Sequence, residues 1–355
     1  MADESSFEMK YHRYTFRKLL FVIICTVAAF LIFWISVIIG TRTLDPIEVY
    51  TLIWQNITNT VPPESWYDSN IVWNYRVPRA LMGILCGAIL GISGAVMQSI
   101  MKNPLADPYT TGVSSGSLFG MAVCAFMGYS IFKGGLALGF SVTLSIIMAM
   151  VPVAAIIAFA PFFRRSPASL ILAGIAISYL FNALTTLLLV TSDADTLAEV
   201  YEWQVGSLAG LSWSAVPLVA IVAIVGSVII IPLSSKLNLM ALDDHDAKAL
   251  GLNVERLRII CLVVIAVMCG VAICYTGIIG FVGLIIPHMT RLLIGSDNRF
   301  IIPASAALGA VFLLGCDVIT RALDVAATIP VGVITGLIGA PIFLYLIIRS
   351  RRVIW

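Results

Sequence analysis

Gly112-Val113-Ser114-Ser115-Gly116 has the G-x-S-x-G spacing that, in hydrolases, presents a serine nucleophile on a sharp strand-to-helix turn. In a membrane the same chemistry would make an intramembrane serine protease. A serine needs a base, and the only histidines are His12, His245 and His288. The first two fall in polar segments, and no strand pattern precedes Gly112, so the match is set aside. His288 stands beside Pro287 and ahead of Arg291, with no second His or Cys at ligand spacing. It reads as a cap or interfacial residue, and neither a metal site nor a cofactor is expected. The seven cysteines (Cys25, Cys86, Cys124, Cys261, Cys269, Cys274, Cys316) all lie in apolar runs without a CxxC pair, so they read as small packing residues. No G-x-x-x-x-G-K-[ST] occurs, nor any Gly-Lys pair, so the chain does not cradle ATP phosphates through a P-loop and is not expected to be an enzyme.

The elements that must position any site are set by composition. Sixty per cent of the residues are hydrophobic and 11% charged, and the mean hydropathy is +1.02. A water-soluble globule holds nearer a quarter charged residues, so the fold class is all-α and polytopic, spanning a membrane. A net charge of +2 gives no reason to expect nucleic acid. Ten apolar runs read as spans, over about 19–40, 77–100, 109–128, 136–163, 170–191, 213–232, 259–277, 281–294, 302–320 and 331–348. The first is longer than a signal-peptide core and lacks a clear cleavage site, so it is retained. The eighth is short for a crossing. Residues 1–355 form a single transmembrane domain, with extracytoplasmic connectors at 41–75 and 193–212. The first connector carries Trp54, Trp66 and Trp73, which suit the headgroup belt.

Charge orients the spans. Lys10, Arg13, Arg17, Lys18, Lys102, Arg164, Arg165, Lys236, Lys248, Arg256, Arg258, Arg291, Arg299, Arg349, Arg351 and Arg352 fall on one side. Arg42, Arg76, Arg79, Lys133 and Arg321 fall on the other. Sixteen of 21 basic residues on one side mark it as cytoplasmic, with both termini there, in a plasma membrane. The connector with Asp193, Asp195, Glu199 and Glu202 has no Lys or Arg and belongs outside.

The segment 236–258 is too polar to cross lipid and too rich in helix formers to be slack. It reads as two short surface helices with a stop at Gly251, either offered to a partner or serving as a solvated connector. Glycines recur every fourth residue at Gly83, Gly87 and Gly91, at Gly112, Gly116 and Gly120, and at Gly332 and Gly336, baring helix faces for close approach. Pro104, Pro108, Pro152, Pro287 and Pro341 should end or kink helices. The spans hold almost no Asp, Glu, Lys or Arg, which ion-coupled carriers commonly need, so a transporter built this way takes its energy from another subunit.

Arg76-Val77-Pro78-Arg79, Ser93-Gly94-Ala95-Val96-Met97-Gln98 and Asn103-Pro104-Leu105-Ala106-Asp107-Pro108 resemble the iron-chelate/cobalamin (FecCD-type) permeases of type II ABC importers. Leu237-Asn238, Ala247, Leu250-Gly251 and Val254 to Arg258 look like that family's coupling helices. Gly280-Phe281-Val282-Gly283-Leu284-Ile285-Ile286-Pro287-His288, Pro330-Val331-Gly332 and Gly339-Ala340-Pro341 complete a likeness that covers nearly the whole chain. It implies ten helices, a homodimer with the pathway between subunits, two cytoplasmic ATP-binding cassette subunits and one extracytoplasmic substrate-binding protein.

The resemblance places Arg76, Arg79 and Arg321 at the outer mouth to dock the binding protein, although Asp317 and Arg321 also stand at the spacing of an i,i+4 pair. It places Leu242, Asp243, Ala247, Leu250 and Gly251 in the ATPase cleft. Where the family often has Leu-Gly, this chain has Leu242-Asp243 followed by Asp244, His245 and Asp246. Ser178, Asn182 and Thr185 form an uncharged polar stripe on the fifth span. The resemblance makes that helix a pathway wall, and helix–helix hydrogen bonding is the other use of such a stripe. Pro167 and Ala168 stand where the family often has small polar gate residues. The expected cargo is a metal chelate, an Fe(III)-siderophore ahead of cobalamin, haem or molybdate. A stand-alone secondary carrier is the alternative of another class.

Overall fold

The computed structural model describes residues 2–40, 42–129, 135–159, 167–323 and 329–350. Lys133, Arg164, Arg165, Arg351 and Arg352 of the charge count lie outside these residues, and the side chains of Lys10 and Arg349 are likewise not described. The α-helices in chain order are α1 (Ala2–Ile38), α2 (Pro46–Ile57), α3 (Trp66–Ile71), α4 (Val77–Met101), α5 (Val113–Phe126), α6 (Gly135–Phe159) and α7 (Pro167–Val190). There follow α8 (Ala194–Gln204), α9 (Val216–Leu239), α10 (Asp244–Ala249), α11 (Val254–Thr276), α12 (Val282–Ile294), α13 (Asn298–Leu323) and α14 (Val331–Ser350). Among the described residues there is no strand. The fold is that of a polytopic all-α membrane protein. Among the described residues eight helices are long and apolar enough to cross a membrane, and α5 and α12 are the shorter pair that stand at the third and eighth runs.

The connectors carry more helix than their polarity suggests. In the first, Asp45 accepts the Ile47 N–H at 2.8 Å and Pro46 opens α2, a cap and a preset φ that start a helix in polar surroundings. Asp193 caps α8 in the same way through Thr196. The 236–258 segment holds one surface helix, not two. α9 continues to Leu239, because nothing in Lys236-Leu237-Asn238-Leu239 breaks it, and only α10 stands alone.

Helix α4 is the axis of the bundle. Of its 25 residues, 19 are buried, against α13, α12, α11, α9 and α1. Lipid is as apolar as leucine, so close van der Waals contact, and not exclusion from water, holds such helices together. The glycines supply it. A Cβ at Gly87 would lie 2.4 Å from the Gly309 carbonyl oxygen, one at Gly91 2.1 Å from that of Ser305, and one at Gly94 1.9 Å from that of Gly283. Gly116 and Gly120 do the same for α5 against α6, whereas Gly336 has nothing within 4 Å.

Fourteen and 13 residues give α5 and α12 lengths of about 20 Å, short of the roughly 30 Å hydrocarbon core. Each crossing is completed by a non-helical lead-in. One runs from Asn103 through a 3₁₀ turn, Pro108–Thr111, to a left-handed Gly112 (φ +85°). The other runs from Gly277 to Phe281, with φ of +68° and +71° at its two ends. Unpaired backbone at membrane depth is tolerated where protein encloses it, and here the two lead-ins enclose each other. Tyr109 donates its hydroxyl to the Ile279 carbonyl at 3.0 Å. Asp107 accepts the Tyr109 N–H at 2.8 Å, and its Oδ2 lies 3.2 Å from where a Cβ on Gly283 would stand, in the first turn of α12. The positive end of a helix dipole thus sits beside a half-buried carboxylate.

Candidate functional site: the two ends of the bundle

At the end that carries α8, the three arginines named from the sequence converge, but they point inward. Helix α1 stops at Ile38, and its last carbonyls have no partner within the helix. Arg76 donates to the carbonyls of Val37 (3.2 Å), Ile38 (2.7 Å) and Arg42. Arg321 donates to those of Ser36 (2.6 Å) and Ile39 (2.8 Å). Two cations thereby cap the negative end of one helix dipole. Arg321 also meets Asp317 Oδ2 at 2.8 Å, the i,i+4 pair expected from their spacing, and Arg79 meets Asp317 Oδ1 at 2.8 Å from α4. Arg76 and Arg321 are 5% and 7% exposed. Neither presents a free charge, and Arg79 is the least enclosed of the three, with 12% of its side chain accessible. Near this end a cavity of about 510 Å³ lies between α8, the loop after it and the end of α11, lined in part by Glu202, Trp203, Ser212 and Tyr275.

At the opposite end α10 is bolted to the bundle. Asp243 caps it through the His245 N–H. Asp244 takes Lys102 at 2.7 Å and Arg258 at 3.3 Å, while Lys102 also donates to the Leu242 carbonyl at 2.6 Å. Burial pushes the Asp244 carboxyl up, but the two cations outweigh it and hold it below the usual carboxylate range. Gly251 is left-handed (φ +84°), the helix stop read from the sequence. The residues named for an ATPase cleft divide here. Leu242 and Leu250 are 42% and 62% exposed, with Asp243 beside them at the surface, whereas Ala247 is wholly buried. A six-residue helix lying flat must turn one face down, and Ala247 is on it.

The Ser178–Asn182–Thr185 stripe also divides. Ser178 and Thr185 turn inward and donate to the carbonyls of Gly174 and Phe181, both at 2.8 Å. Asn182 is exposed, on the same face of α7 as the exposed Ile175 and Tyr179. Gly112 and the two serines of the G-x-S-x-G match lie at the start of α5, where Ser114 and Ser115 are buried within a helix and present no elbow.

Sequence reasoning missed a polar network between α10 and the middle of the bundle. Arg291 of α12 donates to Gln98 and to the Ser99 hydroxyl (3.2 Å) of α4, and Gln98 donates to the Leu284 carbonyl at 3.0 Å. Ser99 Oγ lies 2.9 Å from Asn298 Oδ1. Asn298 donates its N–H to Asn238 at 2.8 Å, and Asn238 donates to Asp297 at 2.7 Å. His288, expected as a cap or interfacial residue, is not a cap: it lies inside α12, with Nε2 buried and unbonded among the described residues. The signal for the network was an arginine placed within four residues of a proline inside an apolar run.

The protein is a helical bundle with a clamped surface helix at one end and an arginine–aspartate frame at the other. The chain belongs to the FecCD transport family, whose model matches residues 27–349. It is 35% identical over 302 residues to the iron(3+)-hydroxamate import permease FhuB of Bacillus subtilis, which covers 84% of this chain and 76% of that one. It is 38% identical over 284 residues to the cobalamin import permease BtuC of Halobacterium salinarum, covering 80% and 74%. Other relatives are named for hemin and molybdate import. A solved inward-facing metal-chelate type ABC transporter superposes with a TM-score of 0.80 at 32% identity, over 92% of this chain and 98% of that one.

Proposed function

We propose that this chain is the non-catalytic membrane subunit of an importer for a metal chelate, an Fe(III)-siderophore, and that two copies work with two ATPase subunits and one extracytoplasmic binding protein. The observation that carries this reading is the α10 projection. Lys102 and Arg258 fix its base through Asp244, while Leu242, Asp243 and Leu250 face outward, uncovered among the described residues. A helix held so rigidly transmits force from a partner; a solvated connector has no need of the clamp. In this reading α10 and both termini are cytoplasmic, and residues 1–355 act as one permease domain in the plasma membrane.

The α8 end then receives the binding protein. Arg79 supplies the accessible charge, and Arg76 and Arg321 hold the end of α1 and Asp317 beneath it. Asn182 supports a second copy. An amide among exposed apolar side chains is costly against lipid, so that face of α7 meets its twin across an aqueous path to which Asn182 is exposed, while Ser178 and Thr185, turned into the bundle, support the wall from behind.

The test is uptake by liposomes holding this chain with its cognate ATPase and binding protein, offered an iron(III) trihydroxamate chelate, cobalamin, haem and molybdate in turn. ATP-dependent accumulation of the iron chelate is expected. Accumulation of cobalamin alone would reassign the cargo. Proton-driven uptake by the chain without ATPase would make it a secondary carrier and overturn the reading.

A further inference from the structure

The two half-length helices begin at one joint, and side-chain hydrogen bonds tie the helix that leaves it, α12, to the segment that leads into α10. Gly283 lies against both Gly94 and the Leu90 carbonyl of α4. Leu90 and Gly94 precede the end of α4 at Met101 by 11 and 7 residues, or about 16 and 10 Å at 1.5 Å per residue. Asp107, which rests on Gly283, therefore lies well inside the bundle. From this joint α5 runs to the α8 end and α12 to the α10 end. Helix α12 is tied to α4 through Arg291, Gln98 and Ser99, α4 to the start of α13 through Ser99 and Asn298, and that start to the last turn of α9 through Asn238. Asn238 stands at the root of the turn that leads into α10.

We infer that α12 is the element that carries movement of the α10 end into the membrane, with Ser99 as a positioning residue in the linkage and Tyr109 as the positioning residue of the joint. This inference rests on the permease reading above. Helix α12 suits the role for three reasons. It is short. Its first turn sits on glycines, which allow one helix to slide on another. Its lead-in has a single side-chain tie, Tyr109 to Ile279, to the segment that feeds α5. Contiguity alone is not coupling, and coupling is measured by a double-mutant cycle.

Ser99→Ala and Tyr109→Phe each remove one hydroxyl and little volume. Spin labels are placed at exposed Leu293 on α12 and exposed Phe126 on α5, and their separation is measured in nanodiscs with the cognate ATPase, before and after ATP and vanadate. The labelled parent is expected to change separation on nucleotide binding. Each variant should reduce that change by about half or more, and the double variant no further than the stronger single one. An unchanged separation in the parent, undiminished changes in both variants, or additive losses would each overturn the inference. Thermal unfolding of the same samples separates a merely structural role, which lowers Tm and leaves the nucleotide-driven change intact. If the ATPase neither assembles with the parent nor hydrolyses ATP there, the permease reading itself has failed.

Discussion

Arg79 on α4 and Asp317 on α13 meet at 2.8 Å, with the carboxylate wholly buried. Because Arg321 occupies the other oxygen, one wholly buried carboxylate balances two guanidinium groups, of which only that of Arg79 keeps some access to water. Removing one member of such a buried set leaves charge without a partner, at a cost of about 3–5 kcal/mol. Asp317→Ala should therefore lower the unfolding temperature in detergent sharply, and Asp317→Asn combined with Arg79→Gln should recover part of the loss. Equal stability of Asp317→Ala and the parent would remove the frame from this account.

Arg76 separates docking from architecture. Its guanidinium caps the end of α1 and is 5% exposed. Salt screens exposed charges and leaves enclosed ones nearly untouched. Arg76→Gln is expected to lower Tm by the same amount at low and high salt. A binding-protein affinity that falls only at low salt, with Tm unchanged, would restore Arg76 to the docking surface.

The glycines give a contrast within one family of substitutions. Gly94→Ala drives a methyl to within 1.9 Å of a backbone oxygen on α12, so helices must part, and overpacking of this kind costs about 1–3 kcal/mol or more. Gly336→Ala meets nothing within 4 Å in a single chain. It should leave the monomer's melting unchanged, and any shift in dimer stability would place α14 at the contact between copies.

At the α10 end, Leu250→Ala removes an exposed side chain and should change stability by no more than about 0.5 kcal/mol, while weakening co-purification of the ATPase. Ala247→Arg pushes a cation into the buried face of α10 and should cost about 2–3 kcal/mol of the chain's own stability. Pull-down and melting, measured on both variants, must move in opposite proportion. Loss of ATPase binding in Ala247→Arg without a fall in Tm would put that residue back in the cleft.

The pH response follows from Asp297. Burial pushes its carboxyl up, but hydrogen bonds from Arg299 and Asn238 outweigh burial and bring it down to about 2. A folded value below the ordinary carboxylate value means that the contribution to stability is present above about pH 4 and is lost as pH falls toward 2. The stability deficit of Asp297→Asn relative to the parent should be constant from pH 8 to 5 and shrink on further acidification. A deficit that changes between pH 6 and 8 would assign the titration elsewhere.

Hydropathy made every span legible, because lipid demands an apolar run wherever the chain crosses, and all ten sequence-derived runs coincide with helices. Gly251 was legible because a helix stop needs a residue that accepts positive φ. What could not be read was which distant groups meet. Arg76 and Arg321 look like mouth residues by position, and their partners near the end of α1 lie 38 and 285 residues away. The burial of Ala247 was hidden because six residues are too few to show a periodic face. The joint at Tyr109 and Ile279 spans 170 residues and involves a main-chain acceptor, which has no identity in a sequence.

The two half-length helices also bear on how the protein is made. The insertion machinery reads segments as they emerge and commits each to lipid by its length and apolarity. At 14 and 13 residues, α5 and α12 are brief for a crossing and lean on the apolar residues beside them. Each is followed by a full-length crossing, α6 and α13, and preceded by another, α4 and α11. A mutation that lowers the apolarity of α6 or α13 is therefore expected to impair insertion of a helix that is itself unaltered.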